Sequence, residues 1–304
     1  MENRDARIAD PVAGLPGAHL ETVDTGGASL TCLVAGTGPV AILAHGFPDC
    51  ARTFRRQIPA LVAAGFRVVA PWLRGYFPST LARDGRYDLA ALGNDLVALA
   101  RHFSPRDPVR LVGHDWGALA GYAAAALAPE AFAHLTTVAV PHPLAVGASF
   151  LRPAQLRRSW YIAFFQIRGS AEWVLRRDNF ALIDRLWRDW SPHLAVELEE
   201  LTQAKAALAR LPNTRAALAY YRAVPRAAFS PSTARLLRGR TRVPSLYVHG
   251  NDDGCFGVEL VNDVERAYAA PVRVARLDGG HFVHLENAER FNALLLDEWR
   301  RPRT

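Results

Sequence analysis

Short apolar runs and helix-period patterns alternate along most of this chain. Residues 19–23, 29–35, 40–44, 67–70, 109–113, 135–140, 245–249 and 272–277 have the length and β-branched content of strands. Residues 51–64, 88–102, 116–127, 260–269 and 288–300 place apolar side chains at helical spacing, with Asp88 as a predicted N-cap ahead of Leu89, Leu92, Leu96 and Leu99. Such alternation predicts an α/β fold with a mostly parallel eight-stranded sheet flanked by helices. Between Pro143 and about Arg238 the strand signals stop, and helices are predicted over 154–167, 171–177, 180–190, 195–208 and 214–223. A helical block between two strand-bearing regions reads as a cap. The expected division is a core of residues 1–144 and 239–304 and a cap of residues 145–238, with hinges at 141–143 and 238–244.

Composition narrows the class. Half of the 304 residues are hydrophobic, enough for a full core and an inserted smaller unit. No apolar run approaches the ~18 residues that cross a bilayer, and residues 1–17 are charged and proline-broken, without the apolar segment of a secretory signal. Three scattered cysteines form no disulfide framework or metal cluster, so a reducing cytoplasm is expected. The net charge of +7 comes almost wholly from dispersed arginines, with Lys205 the only lysine and no block of like charge. Neither a nucleic-acid nor a membrane partner is expected.

The chemistry centres on Leu111-Val112-Gly113-His114-Asp115-Trp116-Gly117-Ala118, a predicted strand running into a small-residue helix. Small residues at 113, 117 and 118 suit the tight turn of a nucleophile elbow, written G-x-S-x-G, with Asp115 in the place of serine. A carboxylate presented there can attack an sp3 carbon and form an enzyme ester, which water then cleaves at the Asp115 carbonyl. Ester cleavage needs a general base. His281, in the glycine-loosened loop Asp278-Gly279-Gly280-His281-Phe282 after the last predicted strand, is the best placed of ten histidines. The base needs an acid partner, and Asn251-Asp252-Asp253-Gly254 after the preceding strand offers Asp252 or Asp253. The loop His45-Gly46-Phe47-Pro48-Asp49 follows another strand, so the backbone N–H groups of Phe47 and Trp116 are the expected oxyanion hole. All four loops follow strands, where open parallel sheets gather their sites.

Together, HGFPD, GHDWGA, GNDDG and GGHF resemble the α/β-hydrolase-fold epoxide hydrolases, from about residue 20 to 300. The resemblance implies Asp115 as nucleophile and His281 as activator of water. Its glycine-x-x-aspartate spacing points to Asp253, with Asp252 as second choice. It also implies two cap tyrosines that hydrogen-bond the epoxide oxygen, matched by Tyr161 in Ser159-Trp160-Tyr161 and by Tyr221 in Tyr220-Tyr221-Arg222. Adjacent helical residues point about 100° apart, so Tyr220 is assigned to packing. Trp160, Phe164 and Pro48 are expected in the pocket, with a small apolar epoxide and water as partners and no cofactor or metal. One departure is Pro71-Trp72-Leu73-Arg74-Gly75-Tyr76-Phe77, where the family commonly has aspartate at the Trp72 position.

Two other readings compete. A haloalkane dehalogenase shares the elbow aspartate, with Trp116 and one of Trp173, Trp187 or Trp190 as halide donors, but has no need of tyrosine at both cap positions. A capped pocket could also serve a protein that only binds a small apolar ligand. The oligomeric state, monomer or homodimer, is left open by the sequence.

Overall fold

The computed structural model describes residues 10–195, 198–227, 233, 236 and 238–301. Eight strands form one sheet: β1 (His19–Asp24), β2 (Ser29–Ala35), β3 (Val40–Ala44), β4 (Arg67–Pro71), β5 (Val109–His114), β6 (Phe132–Val138), β7 (Ser245–Gly250) and β8 (Val272–Leu277). Their spatial order is β1-β2-β4-β3-β5-β6-β7-β8. β2 pairs antiparallel with β1 and β4, and every pairing from β4 to β8 is parallel. The parallel strands β3, β6 and β7 are buried at every position. Helices cover both faces of such strands, which is why they read as unbroken apolar runs instead of alternating ones.

α1 (Ile58–Ala63), α2 (Leu89–Phe103) and α3 (Trp116–Leu127) follow β3, β4 and β5. The expected cap holds on α2, where Asp88 accepts the N–H groups of Ala90 and Ala91 at 3.1 and 3.2 Å. The helix expected over 51–64 is instead a 3-10 turn, Ala51–Phe54, followed by α1. Pro59 has no N–H to continue a preceding helix, and starts a new one. The helix expected over 260–269 is likewise two short turns, Val258–Leu260 and Val264–Ala267, interrupted by Asp263 at φ 59°. β6 stops at Val138 and not at residue 140, because Ala139 turns to φ 69°.

Between β6 and β7 the described residues form α4 (Pro143–Val146), α5 (Pro153–Arg158), α6 (Trp160–Phe164), α7 (Ser170–Trp190), α8 (Leu198–Leu208) and α9 (Leu211–Ala227). The single helix expected over 154–167 is thus α5 and α6. The pair expected over 171–177 and 180–190 is α7, which leaves helical geometry at Arg177–Phe180. Residues 196–197, within the helix expected over 195–208, lie outside the described residues. No described helix is long and apolar enough to cross a membrane.

Candidate active site

β5 ends at His114 and α3 starts at Trp116, so the whole change of direction falls on Asp115, at φ 51° and ψ −115°. A non-glycine residue held there costs about 1–3 kcal/mol, which the surrounding packing must offset. A Cβ on Gly117 would lie 2.0 Å from the Ala44 carbonyl oxygen, so only glycine lets α3 approach β3 closely enough. The turn after β3 is pressed against the elbow from the other side. A Cβ on Gly46 would sit 2.4 Å from that of Asp115 and 2.3 Å from its Oδ1. His45 braces this turn: its Nε2 accepts the N–H of Leu73 at 3.0 Å, which leaves Nδ1 to donate to the Gly46 carbonyl at 2.8 Å. Burial pushes the His45 imidazole down to about 4, so it stays neutral in this bracing role.

The braced turn directs the Phe47 N–H at Asp115 Oδ1, 2.8 Å away. Trp116, as the first residue of α3, has an N–H with no partner within its own helix. Asp115 Oδ2 faces the other way and lies 3.6 Å from His281 Nε2. His281 Nδ1 is 3.0 Å from Asp253 Oδ2. The other Asp253 oxygen accepts the N–H groups of Cys255 and Phe256 at 2.7 and 2.8 Å. Asp252, by contrast, is exposed and 4.0 Å from the equally exposed His193. Of the two carboxylates left open by the sequence, Asp253 is the one against His281.

Burial works to hold the His281 imidazole neutral, but the Asp253 and Asp115 carboxylates outweigh it and push the group up to about 10. His114 and His284 have no facing carboxylate among the described residues and are driven the opposite way by burial, so the charge in this histidine cluster is confined to His281. Asp253, Cys255 and His281 are the one group among the described residues whose potential metal-ligand atoms lie within 4.8 Å of one another. Two of the three are already committed to each other.

Asp115 opens into a cavity of about 630 Å³ whose wall includes Trp116, Tyr161, Tyr220, Tyr221, Val140 and Phe256. Burial raises the phenols of Tyr161 and Tyr221 well above their ordinary range, with Cys255 beside the first and Asp115 beside the second adding to it. Both are therefore neutral donors at ordinary pH. The Tyr161 hydroxyl lies 3.2 Å from Cys255 Sγ. The Tyr221 hydroxyl and His281 Nε2 are buried without hydrogen-bond partners among the described residues.

A sequence model of the alpha/beta hydrolase fold matches residues 39–288. Epoxide hydrolase A of Mycobacterium tuberculosis is 31% identical over 314 residues, spanning 90% of this chain and 95% of its own length. The AB hydrolase superfamily protein YfhM of Bacillus subtilis is 27% identical over 287 residues, spanning 93% and 98%. Among solved structures, epoxide hydrolase A from Mycobacterium thermoresistibile superposes with a TM-score of 0.79 at 29% identity, covering 93% of this chain and 98% of its own. The chain belongs to the α/β-hydrolase family that includes the epoxide hydrolases.

Within this hydrolase, Asp115, His281, Asp253, Phe47 and Trp116 come together from the four loops read in the sequence. Tyr161 and Tyr221 reach the same cavity from α6 and α9. Tyr220 contributes its ring to the wall, while its hydroxyl is taken up by the Arg74 carbonyl at 2.7 Å. The three expected pocket residues do not line the cavity. Trp160 is 39% exposed on the outside of α6, and Phe164 stacks loosely against it. The Pro48 carbonyl accepts the Trp187 indole N–H at 3.0 Å. On a short helix Tyr161 and Ile162 turn inward, which carries Trp160 and Phe164 away from the cavity. Trp187 is thereby committed and Trp173 is 62% exposed, so neither indole is available as a halide donor in the cavity.

The departure at residues 71–77 is structural. Arg74 is buried and bidentate to Asp95, at 2.6 and 2.8 Å, beneath the Tyr220 hydroxyl. Sequence reading missed the part played by the end of α7. The Trp190 carbonyl accepts the N–H of His281 at 2.9 Å and that of Gly254 at 3.1 Å, tying the histidine loop and the acid loop to one point. It also missed Cys255, whose position two residues after Asp253 was a usable signal.

Proposed function

We propose that this hydrolase opens epoxides to vicinal diols through an ester on Asp115. Asp115 Oδ1 is already held by the Phe47 N–H, which leaves Oδ2 as the attacking oxygen. Attack of Oδ2 on an oxirane carbon breaks that carbon–oxygen bond and places the electron pair on the departing oxygen. Tyr221 and Tyr161, as neutral phenols, donate to that alkoxide as it forms. In the second step His281 takes a proton from water, and the water oxygen attacks the Asp115 carbonyl carbon. Oδ1 carries the negative charge of the tetrahedral intermediate between the Phe47 and Trp116 N–H groups. Collapse breaks the Asp115 Cγ–Oδ2 bond: Oδ2 leaves as the second hydroxyl by taking the proton back from the His281 imidazolium, which Asp253 has steadied, and the remaining water proton replaces the one given to the first alkoxide, so the carboxylate is restored.

The observation that carries this reading is one apolar-walled cavity lined by a buried carboxylate and two buried phenols, with a buried histidine 3.6 Å from that carboxylate. Residues 145–238 serve as the cap in this scheme, because they supply both phenols. The substrate is an epoxide whose body fits that cavity, with water as the second reactant and no cofactor.

The test is a His281→Gln variant mixed with an aryl or alkyl epoxide. Intact-mass spectrometry should find one substrate mass added, and peptide mapping should place it on Asp115. A folded variant that binds epoxide without forming an adduct would refute the two-step scheme. Halide release from haloalkanes, with no diol formed from any epoxide, would favour the dehalogenase reading instead.

A further inference from the structure

Cys255 stands where two parts of the site meet. It follows Asp253 by two residues on the loop after β7, and its N–H donates to Asp253 Oδ1 at 2.7 Å. Its carbonyl accepts the side-chain N–H of Gln155 on α5 at 2.8 Å, and Gln155 Oε1 accepts the Gly257 N–H at 3.0 Å. Gln155 is fully buried. The backbone on either side of the thiol is thus held by the acid loop and by the helical insertion at once. From that fixed point Sγ lies 3.2 Å from the Tyr161 hydroxyl, and both side chains are buried. One sulfur joins a phenol of the cavity wall to the loop that carries the acid.

A thiol has one weak donor hydrogen and weakly accepting lone pairs. Burial, reinforced by the Asp253 and Asp115 carboxylates, pushes the Cys255 thiol well above its ordinary range, so it keeps its hydrogen. The departing oxygen of an opening epoxide is a far stronger acceptor than sulfur and draws the phenol hydrogen away readily. Negative charge then collects on the phenol oxygen, in a buried place where an unpaired charge is strongly destabilised.

We propose that Cys255 is a positioning residue for Tyr161, accepting the phenol hydrogen before substrate binds and donating its own hydrogen to the phenol oxygen while the oxirane opens. The carbon–oxygen bond breaks, the phenol hydrogen goes to the departing oxygen, and the S–H turns to the phenol oxygen without leaving sulfur. This rests on the epoxide-hydrolase reading above.

The test follows ester build-up in the His281→Gln background by rapid-quench mass spectrometry. Cys255→Ala removes both the lone pairs and the hydrogen and should slow ester formation roughly fivefold to twentyfold. Cys255→Val, which refills the volume without a polar atom, should do the same. Cys255→Ser keeps a hydrogen and lone pairs at the same place and should stay within about threefold of the parent. Beside Tyr161→Phe the loss in Cys255→Ala should vanish, and beside Tyr221→Phe it should persist. Ester formation within about twofold of the parent in Cys255→Ala and Cys255→Val, no recovery in Cys255→Ser, or an undiminished loss beside Tyr161→Phe overturns the proposal. A second measurement separates positioning of Tyr161 from damage to the acid loop. With His281 present, a pH titration of that histidine in Cys255→Ala should give the wild-type midpoint; a lowered midpoint routes the loss through Asp253 and overturns the assignment to Tyr161. No ester in any protein, the parent included, refutes the epoxide reading and this proposal with it, whereas ester formed at the parent rate without the thiol refutes this proposal alone.

Discussion

A general base at about 10 is protonated at neutral pH and cannot accept a proton from water, yet this is where the resting enzyme holds His281. In the proposed mechanism the ester intermediate resolves the conflict, because alkylation removes the negative charge of Asp115. Asp115→Asn imitates that loss in a stable protein. The charges lie 3.6 Å apart, so at an effective dielectric of about 20 their attraction is about 4–5 kcal/mol, roughly a thousandfold in proton affinity. Removing it lowers the imidazole from about 10 to about 7, where a base is useful at neutral pH. The assay is a pH titration of histidine-labelled protein by long-range proton–nitrogen NMR, with His281 assigned by its absence in His281→Gln. Wild-type His281 should stay protonated to near pH 10, and Asp115→Asn should titrate near 7. A wild-type midpoint near 6.5, or the same midpoint in both proteins, would refute the reasoning. The sign also reaches stability. A folded-state value above the unfolded 6.5 contributes stability that is fully present below about pH 6.5 and lost as pH rises towards 10. Thermal melts should therefore show the wild type losing more stability than Asp115→Asn between pH 7 and 10.

Tyr161→Phe and Tyr221→Phe should each slow ester formation by roughly tenfold to a thousandfold in pre-steady-state mixing, because each removes one donor to the developing alkoxide; rates within twofold of wild type for both would count against their role. Tyr220→Phe should behave differently despite being adjacent: it loses the bond to the Arg74 carbonyl and about 1 kcal/mol in denaturant unfolding, while turnover stays close to wild type. Gly46→Ala should abolish most activity, since the new methyl group overlaps the Asp115 carboxylate; full activity in a folded variant would mean that the turn is not held against the nucleophile.

Much of the site was legible in the sequence because its chemistry is local to short loops. The elbow, the HGFPD turn, the paired aspartates and the GGHF loop each declare a residue type and a turn within a few positions, and each follows a strand. The sheet was legible for a related reason: strands buried on both faces leave unbroken apolar runs. Helix lengths were less so where one residue decides the outcome, as Pro59 does before α1 and Asp263 does between two turns. Asp253 and Asp252 share a loop and a composition, and only the fold puts one against His281 and the other in solvent. Trp160 and Phe164 read as pocket residues from their apolar character alone, but the rotation of α6 gives the cavity Tyr161 and Ile162. The sequence by itself determined which carboxylate, histidine and phenols the proposed mechanism draws on. Only the tertiary structure decided which oxygen of Asp115 faces His281, which aspartate His281 pairs with, and that the arginines of α7 and α9 face one groove. Those are matters of distance between segments far apart in the chain, and charge and burial act through distance.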